Sequence, residues 1–183
     1  MGADKGMLVH NGKTWSQLAF DRLHGYLEEV YVSVNESQTP AYERAFGYEK
    51  LIVDDPTLGI TGPLLALLSA HIKFPDQDIF ALACDLISMD VGPIAFLTEQ
   101  RRLYAGKECY LFFDDNGMQP LMTIYTASLL QRELDDLRSG SLKNFSAKHV
   151  IDSGDSLQIA VPSQWQKCFI NYNTSEDLKG LSN

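Results

Sequence analysis

The polar and apolar positions of the chain fall into alternating strand-like and helix-like stretches, and the clearest of these is Ile79-Phe80-Ala81-Leu82-Ala83-Cys84-Asp85. It carries no charge until the closing carboxylate, and the polar Pro75-Asp76-Gln77-Asp78 precedes it. Such a run fits a strand buried on both faces, as in a parallel sheet covered by helices. Val30 to Val34 and Leu51-Ile52-Val53 are shorter β-rich runs, and Cys109 to Phe113, Leu121 to Tyr125, His149 to Ile151 and Leu157 to Ile159 read as further strands. Helical spacing lies between them. Thr14-Trp15-Ser16-Gln17 has the form of a capping box, followed by Leu18, Ala19, Arg22, Leu23 and Tyr26 at helical intervals. Pro40 precedes a short helix at Ala41 to Phe46, and Pro63 opens one that runs to about Lys73, a favourable first-turn placement. Further helices are expected at Val91 to Tyr104, at Thr126 to Arg138, at Leu142 to Ala147 and after Thr174. Asp114-Asp115-Asn116-Gly117 reads as a hairpin turn.

Alternating signals of this kind predict a single α/β domain over residues 1–183 with a mostly parallel sheet. In open α/β sheets ligands bind at the carboxyl ends of the strands. Asn35, Asp54-Asp55 and Asp85 would all stand on that edge. Carboxylates gathered there repel one another unless a cation sits between them, and Mg²⁺ with a phosphate substrate is the usual solution. Each also has a plainer reading. Asp85 could cap a following helix, and Asp54-Asp55 could be turn formers ahead of Pro56. Lys5, in a loop flanked by Gly2 and Gly6, suits a point charge on phosphate oxygens or an ordinary surface lysine. Asn171 and Asn173 alternate along an extended segment, so both would face one side, unless Asn173 or Thr174 caps a helix. His10, His24, His71 and His149 share no spacing and receive no chemistry.

A net charge of -9 argues against a broad nucleic-acid surface. The apolar runs are too short to span a membrane. Cys84, Cys109 and Cys168 are scattered and odd in number, which suits reduced thiols and a cytoplasmic setting.

The order of these pieces resembles the molybdenum cofactor guanylyltransferase family, within the nucleotidyltransferases of Rossmann-like fold. Met1-Gly2-Ala3-Asp4-Lys5 matches the end of the family's opening motif, and Asn11-Gly12-Lys13 follows at its spacing. Asp55 precedes Gly62-Pro63-Leu64, Cys84-Asp85 closes the central strand, and Gln119-Pro120-Leu121 and Phe169 to Thr174 complete the series. The resemblance implies transfer of GMP from GTP to molybdopterin with release of pyrophosphate, giving the guanine dinucleotide cofactor. It implies that Lys5 neutralises the GTP phosphates, that Asp85 holds Mg²⁺, that Asp55 helps to bind the nucleotide, and that Asn171 and Asn173 contact molybdopterin. Other proteins of molybdenum cofactor biosynthesis, or acceptors of the cofactor, are implied as partners.

The sequence also departs from the family. A first strand and a Leu-x-Gly-Gly-x-Ser-x-Arg loop would precede Met-Gly-x-Asp-Lys, and neither is present here. Ala66 stands for a common Gly, and no Pro follows Asp85 two residues on. Weak GTP binding and little guanylyltransferase activity are therefore expected of the chain as written, because backbone N–H groups supply much of phosphate affinity. The absent strand would lie between Val30–Val34 and Ile79–Ala83, so an open slot is expected there, with no direct ladder between the two. A non-catalytic nucleotidyltransferase-like remnant, or a related transferase using another nucleotide, are the alternative readings. A phosphoacceptor signalling domain shares the acidic strand ends but needs a later strand-end Lys that this sequence does not show.

Overall fold

The computed structural model describes residues 4–115, 117–174 and 176–177. Strands β1 (Val9–His10) and β2 (Lys13–Thr14) form a small hairpin turned by Asn11 and Gly12, both at positive φ. Asn-Gly is the pair that tolerates this geometry, and this hairpin is an element that the hydrophobic pattern does not reveal. Helix α1 (Trp15–His24) follows, and its capping box forms as the sequence suggests: Thr14 accepts from the Gln17 amide while Gln17 accepts from the Thr14 amide. Then come β3 (Val32–Val34), α2 (Thr39–Phe46), β4 (Leu51–Val53), α3 (Pro63–Lys73), β5 (Ile79–Leu82) and α4 (Val91–Leu103). The second half supplies β6 (Cys109–Asp114), β7 (Gly117–Tyr125), α5 (Ala127–Ser139), α6 (Ala147–Ser153) and β8 (Ser156–Ala160). The helix expected after Thr174 lies largely outside the described residues.

Three layers result. Along β6 the side chains alternate: Cys109 and Leu111 enter a core with Leu64 and Leu68 of α3 and Leu129 and Leu130 of α5. Tyr110 and Phe112 enter the opposite core with Leu23 of α1, Ile94 and Leu97 of α4 and Phe169. The period-2 alternation of a strand thus feeds two apolar faces, each covered by helices.

The strand directions are mixed. β3 pairs in parallel with β4. In the four-stranded sheet, ordered β5-β7-β6-β8, β7 alone is reversed, so β5, β6 and β8 share one direction. Asp114 pairs with Gly117 where β6 gives way to β7, and Asn116 of the expected turn lies outside the described residues. The residues around 142–151 differ from the sequence reading. A helix at 142–147 and a strand at 149–151 were the expectations, whereas one helix, α6, spans the latter. Ser146 accepts from the His149 amide as its cap, and Ala147, Val150 and Ile151 turn inward at helical spacing.

β5 is less enclosed than its sequence suggests, for all four of its residues are only half-buried, whereas Cys109 to Phe112 of β6 are fully buried. The cause is topological. β3 and β5 share no ladder, and the slot expected between them is open among the described residues.

Candidate active site

Lys5 is fixed by a short chain of local contacts. Asp4 caps the single 3-10 turn Lys5–Met7 by accepting from the Gly6 amide at 3.0 Å. The same Asp4 oxygen accepts from the Tyr42 hydroxyl at 3.0 Å, and its other oxygen accepts from Gln38 Nε2 at 2.7 Å. Gly6 must be glycine here, since a Cβ would lie 2.1 Å from the Tyr42 hydroxyl oxygen. Ser16, at the start of α1, donates to the Gly6 carbonyl at 2.8 Å. These contacts tie the loop to α1 and α2. Asp4 is a fixed position of the Met-Gly-x-Asp-Lys motif, but the sequence reading gives it no role as the group that shapes the loop.

From this anchored loop the Lys5 ammonium donates to Asn173 Oδ1 at 2.7 Å and lies 3.4 Å from Asp85 Oδ2. Asp85 stands just beyond the carboxyl end of β5, and its backbone carbonyl accepts from the Tyr172 amide at 3.1 Å. The closing segment is thereby docked against the end of the strand. Asp177 accepts from the amides of Asn173 and Thr174, each at 2.8 Å, and these bonds hold its carboxyl below the usual carboxylate range. Asp177 therefore orients Asn173, a role that the sequence reading misses.

The other expected residues lie elsewhere. Asn171 lines a cavity of about 510 Å³ with Asp114, Gln119, Gln166 and Phe169. Asp55 Oδ1 accepts from the Thr57 amide at 2.9 Å and from its hydroxyl at 2.7 Å, capping the 3-10 turn Pro56–Leu58. Those bonds lower its pKa. Asp54 accepts from the Ser33 hydroxyl at 3.3 Å, and burial raises its pKa. The carboxylates at the strand ends are thus separated among distinct partners instead of converging on one point.

Cys84, beside Asp85, is not a nucleophile at neutral pH. Burial, with the Asp85 and Asp4 carboxylates, pushes its thiol up to about 11. Among the described residues no group of three or more His, Cys, Asp or Glu is arranged to hold a metal. Mg²⁺ in phosphoryl-transfer sites is held by one or two carboxylates together with substrate phosphates. Asp85, partly exposed and sharing its space with a cation, fits a metal that arrives with its nucleotide.

This three-layer fold is that of nucleotidyltransferases. It superposes on molybdopterin-guanine dinucleotide biosynthesis protein A from Archaeoglobus fulgidus with a TM-score of 0.76 at 17% identity, covering 98% of this chain and 89% of that one. It also superposes on CMP:2-keto-3-deoxy-manno-octonic acid synthetase complexed with CTP, with a TM-score of 0.69 at 13% identity, covering 97% and 89%. Residues 1–154 match the family described as the MobA-like NTP transferase domain, and the chain belongs to that family. A molybdenum cofactor guanylyltransferase of Shewanella baltica is 27% identical over 99% of this chain and 88% of its own length. The molybdenum cofactor biosynthesis bifunctional protein of Synechocystis is 30% identical over 72% of this chain and 37% of its own length. By family, then, the chain is a nucleotidyltransferase. No helix among the described residues is long and apolar enough to cross a membrane.

Proposed function

We propose that this chain transfers GMP from GTP to molybdopterin. A phosphate oxygen of molybdopterin attacks the α-phosphorus of GTP, the bond from that phosphorus to the bridging oxygen breaks, and pyrophosphate leaves with the electron pair. Positioning and charge neutralisation carry most of such a reaction. The observation that supports this reading is the convergence of Lys5, Asp85 and Asn173 at the end of β5.

In this reading Lys5 exchanges its contact with Asp85 for the nucleotide phosphates and holds their charge as a point cation. Asp85 is the residue that would hold Mg²⁺, which when bound supplies neutralisation of the phosphate oxygens. Asn173 orients Lys5 and reaches the molybdopterin side, while Asn171 and the cavity about it receive the pterin portion. Asp55 contributes to nucleotide binding from the neighbouring strand end. The three cysteines are free, as a reducing cytoplasm requires.

The test is pyrophosphate release by the purified chain with molybdopterin, Mg²⁺ and GTP, alongside CTP and ATP. Release that requires both molybdopterin and GTP is expected. Equal release from CTP would move the assignment to another nucleotide, and release independent of molybdopterin would remove the proposed acceptor.

A further inference from the structure

The cation and the carboxylate of the candidate site are paired with each other. Lys5 Nζ lies 3.4 Å from Asp85 Oδ2, and among the described residues neither has another ion-pair partner. Their side chains are 41% and 22% exposed, so a ligand can reach both. A pair open to solvent contributes little when two mobile side chains must be immobilised to form it. Here both ends start from backbone that is already fixed. The Lys5 turn is tied down through Asp4, which takes the Tyr42 hydroxyl, and through the Gly6 carbonyl, which takes that of Ser16. On the other side the Asp85 carbonyl accepts from the Tyr172 amide, and the Tyr172 side chain is buried with Trp15 and Ile87. The Tyr172 hydroxyl lies 3.2 Å from that of Ser88, and Arg22 donates to the Ile87 carbonyl. Asn173, next along the chain, accepts from Lys5 Nζ at 2.7 Å and holds the ammonium over the carboxylate.

Charge decides what can open this pair. A bare divalent cation that approaches Asp85 must displace Lys5 and then sit close to its positive charge. A metal-free polyphosphate that approaches Lys5 meets the Asp85 carboxylate in the same way. Each ligand breaks one attraction to make another and adds a repulsion between like charges a few ångströms apart. A metal–triphosphate complex brings both partners at once. Asp85 then takes the cation, Lys5 takes phosphate oxygens, and one ion pair is exchanged for two.

We propose that the Lys5–Asp85 pair, set by Asn173, is an autoinhibitory latch. It resists a bare divalent cation and a metal-free polyphosphate alike, and yields to the two together. The inference rests on the reading that Lys5 meets phosphates and Asp85 the metal, and it adds a consequence that the reading alone does not carry. Removing either residue strengthens binding of the ligand that the other one takes, because a site closed by an internal contact binds with an affinity reduced by the fraction that is open.

The experiment measures binding to the 183-residue chain with two probes that carry neither a base nor a pterin. Mn²⁺ alone, followed by the electron paramagnetic resonance of the free ion, should bind Lys5→Met about three- to tenfold more tightly than the parent. The double variant Lys5→Met/Asp85→Asn should lose that gain, which places the ion at Asp85. Asn173→Ala loosens the ammonium without removing it and should show a smaller gain. Metal-free tripolyphosphate, titrated calorimetrically in the presence of a chelator, should bind Asp85→Asn about three- to tenfold more tightly than the parent. Binding no tighter than the parent's in either single variant, undetectable binding included, would overturn the latch. A gain for Mn²⁺ that persists in the double variant would overturn it as well. Neither result bears on the choice of nucleotide or acceptor, which the pyrophosphate assay decides separately.

Discussion

The ammonium of Lys5 lies 2.7 Å from Oδ1 of Asn173, which joins the opening loop of the chain to its closing segment. With Asp85 at 3.4 Å on the other side, the charge is held over the end of β5 instead of sweeping through solvent. Replacing Lys5 with Ala should lower nucleotide affinity and turnover together, because the charge acts on the phosphates throughout the reaction. Asn173→Ala keeps the charge and loses its positioning, so its loss should be the smaller. Steady-state kinetics with GTP binding measured separately checks both, and a larger loss in Asn173→Ala would reverse the roles.

Asp85→Asn should reduce turnover by roughly a hundredfold, the usual scale for losing one metal or transition-state contact. The amide keeps the shape and the hydrogen-bonding capacity, and the Asp85 carbonyl still receives the Tyr172 amide. Thermal melting should therefore stay close to that of the parent while the Mg²⁺ titration shifts upward. Normal turnover across that titration would return Asp85 to a structural role.

Gly6→Ala places a methyl group 2.1 Å from the Tyr42 hydroxyl oxygen and should cost about 1–3 kcal/mol of stability. Adding Tyr42→Phe removes that oxygen, and the next atom of the ring then lies 3.3 Å from the new Cβ. The double variant should recover much of the loss, although Asp4 forfeits the hydroxyl it accepts from. Urea unfolding of the two single variants and the double one measures the coupling. Simple additivity would mean that the loop relaxes away from Tyr42.

Alkali should destabilise the fold. Burial raises the Cys84 thiol from 9.0 to about 11 and that of Cys109 to about 12. A raised thiol pKa means that the folded state keeps a proton which the unfolded chain releases. The associated stability is present below pH about 9 and is lost as pH climbs through the folded values. The slope approaches about 1.4 kcal/mol per pH unit for each thiol. Urea unfolding across that range should give a shallower decline for Cys84→Ala than for the parent, and identical declines would contradict the assignment.

Much of the fold is legible because long apolar runs and helical spacings decide it. The helix at Pro63–Lys73 and the strand at Leu51–Val53 appear at the expected limits. The stretch 147–153 is harder, since a short apolar run satisfies helix and strand alike and only the Ser146 cap decides. In the candidate site, Lys5, Asp85 and Asn173 gather because strand ends and their loops share one edge of the sheet. Asp177 escapes the sequence reading and Asp4, though part of the opening motif, receives no role in it, because both act on nearby backbone amides. Any carboxylate in a loop can do that, so residue type and spacing do not reveal the role.

The reversed strand β7 also bears on the order in which the chain folds. β6 and β7 are neighbours in sequence and can zip from the Asp114–Gly117 pair without closing a long loop. β5 must instead find the far edge of β7, with Ile79 opposite Tyr125, across the whole of α4 and β6. The hairpin is thus the natural nucleus and β5 a later arrival. Substitutions at the β6–β7 pairing should then slow folding, whereas those at the β5–β7 pairing should chiefly speed unfolding. Asp85, carried at the end of β5, comes to rest beside Lys5 only in those late steps.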